Sequence, residues 1–151
     1  RILDLIEQKA DAFERAVNES VKAIPGSVEL ITHAADHLRQ AVCSGASRRD
    51  IDLMLGKLNL LGHFKTIVSA DDVAKSKPDP QSYALAVQKI SLAPGDCVAI
   101  EDTAAGIASA RGAGLWTLGL TSTSDRATLC DAHRVLDTLE GVTVEQIRSW
   151  F

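Results

Sequence analysis

The stretch Cys97 to Gly114, CVAIEDTAAGIASARGAG, constrains the fold of this chain more than any other. Cys97 to Ile100 is a short unbroken apolar run, the pattern of a strand buried on both faces. Glu101 and Asp102 follow where the strand should end. Thr103 then opens an Ala-rich helix that stops at Gly114, a residue suited to a left-handed C-cap. A buried parallel strand ending in two carboxylates places both acids at the carboxyl edge of a sheet, where open α/β sheets bind ligands. Two adjacent carboxylates on such a turn suit one hard divalent cation, Mg²⁺ above all. The same residues suit a plain helix start equally well, with Asp102 or Thr103 as cap and Glu101 a solvated charge near the positive end. The rest of the chain has to choose between the two.

Strands alternate with helices on either side of this stretch. Gln40–Cys43, Thr66–Ser69, Leu115–Leu118 and Arg134–Leu136 read as strands. Helical patterns cover residues 1–20, the segment opening at Ser27, the segment capped by Ser47 with Asp50 three residues on, Ser82–Ile90 and Val144–Phe151. In the first helix Ile2, Leu3, Ile6, Phe13 and Val17 lie near one repeat, and in the second Val28, Ile31, Ala35 and Leu38 form the expected buried stripe. Trp150 and Phe151 should dock the last helix onto the core. This alternation predicts an α/β fold: a doubly wound parallel sheet with helices on both faces. Ala23-Ile24-Pro25-Gly26 breaks the pattern, so a domain boundary falls near Val21 to Ile24, separating residues 1–22 from 23–151.

With 46% hydrophobic and 24% charged residues, the balance is that of an ordinary soluble globular protein. A net charge of −4 without a basic run gives nucleic acid no footprint. No apolar run reaches the ~20 residues of a membrane span, and the charged amphipathic start is unlike a signal peptide. The three cysteines, Cys43, Cys97 and Cys130, are odd in number and far apart, so they read as reduced core thiols of a cytoplasmic protein. His33 and His37 bracket Asp36 on the second helix, but they point away from its apolar stripe. They read as an exposed pair rather than a zinc site.

Three polar positions remain. Ser44 follows a strand and is either a plain loop serine or a hydroxyl at the sheet edge that bonds a ligand oxygen. Lys77 lies in Lys75-Ser76-Lys77-Pro78-Asp79-Pro80, where two prolines rigidify the loop and favour it over Lys75 as a positioned cation. Lys9, on the first helix, reads by default as solvated charge.

A serine after a strand, then Lys-Pro-Asp-Pro, then Ile-Glu-Asp-Thr-x-x-Gly-Ile with Ala-Gly closing the helix resembles the haloacid-dehalogenase-like hydrolases. The chain is most similar to their β-phosphoglucomutase and sugar-phosphatase branch with a helical cap. The resemblance implies that Ser44, with Gly45 beside it, binds the transferring phosphoryl group. Lys77 would neutralise phosphate and nucleophile, Glu101 and Asp102 would hold Mg²⁺, and Lys9, on the last cap helix, would bind substrate from above. It also implies a small phosphorylated substrate, and the Glu-Asp pair favours sugar or polyol phosphates over phosphoglycolate. Residues 1–22 would then be a remnant of the cap and 23–151 the core domain without its first strand. The family's nucleophile and general acid/base lie in an Asp-x-Asp-Gly-Thr segment on that strand, which this sequence does not contain.

A chain that starts at Arg1 without this segment is expected to be the C-terminal part of a hydrolase, inactive alone, with the N-terminal segment of the same protein as its missing partner. The strands ending at Ser44 and Glu101 should then stand two inter-strand spacings apart, unpaired with each other. The competing readings are a non-catalytic α/β module that keeps the phosphate pocket for binding and, more remotely, a signalling receiver domain.

Overall fold

The computed structural model describes residues 2–151, with side chains from Gln8 onward, so the expected contacts of Ile2, Leu3 and Ile6 lie outside the described residues. Five short strands, all parallel, carry the fold: β1 (Ala41–Cys43), β2 (Thr66–Val68), β3 (Val98–Glu101), β4 (Trp116–Leu120) and β5 (Arg134–Leu136). The helices are α1 (Ile2–Ser20), α2 (Ser27–Ala35), α3 (Arg48–Lys57), α4 (Gln81–Ile90), α5 (Ala104–Gly112) and α6 (Val144–Trp150). The strands do not form one sheet. β1 pairs with β2, and β3, β4 and β5 pair in that order, with no ladder between β1 and β3 among the described residues.

One apolar cluster nevertheless spans both sheets. Tyr83, Val87 and Ile90 of α4 meet Cys97 just before β3, Ala99 within it, Ala110 of α5 and Leu115, with Ala41 and Cys43 of β1 packed against them. A second cluster joins Leu30 and Ala34 of α2 to Leu120, Leu139 and Val144, with Leu136 and Ile147 alongside. Helices thus cover both faces, and each fully buried aliphatic side chain, such as Ile107 or Leu118 at 0% exposure, stabilises the fold by about 1.5–3 kcal/mol. Between β1 and β3 lies a cavity of about 660 Å³ whose lining includes Val42, Val98, Ile100, Leu30, Leu38 and Phe151.

Backbone groups face this slot. Lys65 N donates to Gln40 O and Ser44 N to Val68 O, so alternation turns the amides of Ala41 and Cys43 away from β2. Trp116 N likewise donates to Cys97 O, which leaves Val98 and Ile100 directed away from β4.

Several local expectations change. The buried face of α2 is Leu30 and Ala34 rather than Val28, Ile31, Ala35 and Leu38, and Leu38 is exposed. Ser27 does not cap α2. The cap is Gly26, at φ 80°, where a side chain would run into the backbone of Leu139 and Glu140. Ser47 does cap α3, accepting from Asp50 N. Cys43, Cys97 and Cys130 are all free, but Cys130 is exposed rather than in the core. Trp150 lies under the Arg134 guanidinium, whereas Phe151 is half exposed beside Trp116. His33 and His37 are exposed, as expected. No helix among the described residues is long and apolar enough to cross a membrane.

Candidate active site

The carboxyl ends of β1 and β3 are joined by one side chain. The loop carrying Lys77 is pinned at its far end, where Asp79 Oδ1 accepts from Gln81 N at 2.9 Å and the fully buried Ser109 donates to Asp79 O at 2.6 Å. From this loop the Lys77 ammonium donates to Cys43 O at 3.2 Å, next to Ser44, and forms an ion pair with Glu101 Oε1. It therefore spans the two sheets at the carboxyl ends of their strands. Lys75, two residues earlier, is 75% exposed, and among the described residues its ammonium reaches only Asp79, at 3.8 Å.

Glu101 is the last residue of β3 rather than the first beyond it, which turns its carboxylate inward to 7% exposure. Tyr83 of α4 donates to the same Oε1 at 2.5 Å. Gly106, in the first turns of α5, makes room for the carboxylate, since a Cβ there would overlap Glu101 itself. Asp102 points elsewhere and accepts from Thr123 Oγ1 at 2.5 Å. Thr103 caps α5 by accepting from Gly106 N at 3.0 Å, so the helix has its cap without Asp102.

Ser44 N is bound to Val68 O, and Ser44 Oγ accepts from Ala46 N at 3.1 Å. The hydroxyl's own proton remains available to an anion. Gly45 is exposed, with open space where a side chain would stand. Lys9 is exposed on α1, which packs against α3, and no bond among the described residues ties it to Lys77 or Glu101. Burial pushes the Cys43 thiol up to about 12, with Lys77 pulling it partly back, so it stays protonated and unreactive. Burial first, and then the neighbouring Glu101 charge, hold the Tyr83 hydroxyl protonated as a donor.

The site thus joins Lys77 to Glu101 and to the end of β1 at Ser44, holds Asp102 on Thr123, and leaves Lys9 apart. Tyr83 and Thr123 escape a reading of the sequence. Tyr83 repeats with Val87 and Ile90 as a core stripe, and only its hydroxyl distinguishes it.

Glu101 and Asp102 have the right donor chemistry for Mg²⁺. They form only part of a set, because no group of three or more His, Cys, Asp or Glu that could hold a metal occurs among the described residues.

The model of the haloacid dehalogenase-like hydrolases matches residues 2–120. This chain belongs to that family. Protein CbbY of Rhodobacter capsulatus is 38% identical over 120 residues, covering 76% of this chain and 53% of CbbY. Hexitol phosphatase A of Escherichia coli is 29% identical over 137 residues, covering 90% of the chain and 63% of its own length. The crystal structure of CbbY from Rhodobacter sphaeroides in complex with phosphate superposes with a TM-score of 0.89 at 27% identity, over 97% of this chain and 68% of that one. Among haloacid dehalogenase-like hydrolases the chain stands with the CbbY and β-phosphoglucomutase-like branch. It spans between half and two thirds of the length of these two curated relatives.

Proposed function

We propose that this chain forms the phosphate-binding and cation-binding half of a Mg²⁺-dependent phosphohydrolase or phosphomutase for a small phosphorylated sugar or polyol. The observation that carries this reading is the Lys77 ammonium, held between Cys43 O beside Ser44 and the carboxylate of Glu101. A fixed cation, a hydroxyl with a spare proton and two carboxylates at one sheet edge fit a phosphoryl group and its counter-charge.

In this reading Ser44 and the exposed backbone at Gly45 bind the phosphoryl oxygens, and Lys77 offsets the negative charge that builds up as the group transfers. Glu101 and Asp102 would help hold Mg²⁺, which supplies further positive charge to the transferring group. The attacking carboxylate comes from an aspartate outside this chain, on a strand that fills the slot between β1 and β3. That carboxylate bonds to phosphorus as the ester oxygen leaves, taking a proton from a second aspartate on the same segment. Residues 1–22 belong with a cap, which would bring Lys9 over the substrate. Three free cysteines fit the cytoplasm as its compartment.

A second reading is a binding module in which the same cation, hydroxyl and carboxylates hold an anion without turnover. Both readings place Mg²⁺ at the same residues. Calorimetric titration with Mg²⁺ should show weak binding to the chain, reduced at least tenfold in Asp102→Ala. Binding unchanged by that substitution would contradict the assignment.

A further inference from the structure

Lys77 and Tyr83 meet on one oxygen of Glu101, and they are unequal partners. Lys77 ends a flexible four-carbon stem, keeps 19% of its side chain exposed towards the edge, and has a second acceptor in Cys43 O. Tyr83 is 7% exposed, packed among Val87, Ile90, Cys97 and Ala99, with two side-chain torsions and nowhere to turn. Its ring lies beneath the Lys77 ammonium, 5.1 Å from ring centroid to Nζ.

On the reading above, an anion at Ser44 draws Lys77 away from Glu101. Where no Mg²⁺ stands at Glu101, the carboxylate would then be a charge 7% exposed without its cation, and a buried charge stripped of its partner is strongly destabilising. We infer that Tyr83 is a positioning residue: its hydroxyl holds the Glu101 carboxylate in place, beside the room Gly106 provides, while Lys77 turns to a phosphate-like anion. Without that hydroxyl Lys77 is the carboxylate's one remaining side-chain donor among the described residues and is held back from the anion. This deepens the phosphate reading and rests on it. Tyr83 is a member of the packed core as well, but packing alone needs only the ring.

The test is calorimetric titration of the protein with inorganic phosphate in Mg²⁺-free buffer, using the parent, Tyr83→Phe and Lys77→Met. Tyr83→Phe keeps the ring. Its melting temperature should fall by only a few degrees, since Lys77 still pairs the carboxylate in the free protein, while phosphate affinity falls about tenfold, the size of one hydrogen bond to a charged group. Lys77→Met should lose more.

Parent-like phosphate binding in Tyr83→Phe, alongside loss in Lys77→Met, overturns the role given to Tyr83 and leaves the phosphate reading standing. Parent-like binding in Lys77→Met overturns the phosphate reading and this inference with it. A measurement on the unsubstituted protein guards against a misfolded variant. Tyr83 is the only tyrosine of the chain, so in protein labelled with ¹³C at the tyrosine Cζ the single Cζ resonance reports the hydroxyl's hydrogen bond, which should strengthen and shift when Lys77 leaves the shared oxygen on adding phosphate. A shift supports the inference and an unmoved resonance overturns it.

Discussion

Lys77→Ala, in a protein that turns over a phosphate monoester, lowers kcat by a factor of about 10²–10³, the loss that follows removal of one preorganised charge from a developing anion. Lys75→Ala leaves kcat within about twofold, since its ammonium is 75% exposed and, among the described residues, pairs only loosely with Asp79. The contrast between the two lysines carries the prediction. Lys77→Ala also leaves the Glu101 carboxylate at 7% exposure with Tyr83 as its remaining donor, so the melting temperature should fall together with kcat. Steady-state kinetics and thermal melts on both variants check this. Equal kinetic effects from Lys75 and Lys77 would show that the charge at the sheet edge is generic.

A strand between β1 and β3 is the second large expectation. Both flanking strands are parallel to their partners, so the slot accepts a parallel strand, and its lining by Val42, Val98, Ile100 and Leu30 asks for apolar side chains. Backbone N–H and C=O groups along both edges are left for it to pair. In the chain alone the amides of Ala41, Cys43, Val98 and Ile100 should exchange with solvent far faster than Val42 and Ala99, which face β2 and β4. Joining an apolar segment that ends in Asp-x-Asp-Gly-Thr should slow those four amides by orders of magnitude as they enter the ladder. Slow exchange of all four in the chain alone would mean that the two sheets close on each other.

The central unit, β3 with α5, was readable because a buried strand, two terminal carboxylates and an Ala-rich helix leave few alternatives over so short a stretch. Lys77 was readable from its prolines. The second partner of Glu101 was not. Tyr83 is 18 residues away in sequence, and an aromatic in an apolar helical stripe reads as core until the fold brings its hydroxyl to a carboxylate. The Asp102–Thr123 bond is hidden for the same reason, across 21 residues.

The face of α2 was misread because Val28, Leu30, Ile31, Ala34, Ala35 and Leu38 give apolar residues on more than one side, and only packing against Leu139 and Val144 selects Leu30 and Ala34. Strand β4 runs on to Leu120, past the Leu118 that the apolar run alone predicts. Gly119 sits close to Leu129, Ala132 and Val135, so the strand continues where a larger residue would be crowded. The division into two sheets follows from the family resemblance, whose first strand this sequence lacks, and not from the local strand pattern, which is compatible with one continuous sheet.

The proposed function depends on Lys77, Glu101 and Asp102 serving chemistry whose nucleophile lies outside this chain. Release of inorganic phosphate from a panel of sugar and polyol phosphates, with and without Mg²⁺, tests that most directly when the chain alone is compared with the chain joined to an Asp-x-Asp-Gly-Thr segment. The account predicts no release by the chain alone and Mg²⁺-dependent release once the segment is present, abolished in Asp102→Ala. Phosphate release by the chain alone, or none from the joined protein on any member of the panel, would contradict it.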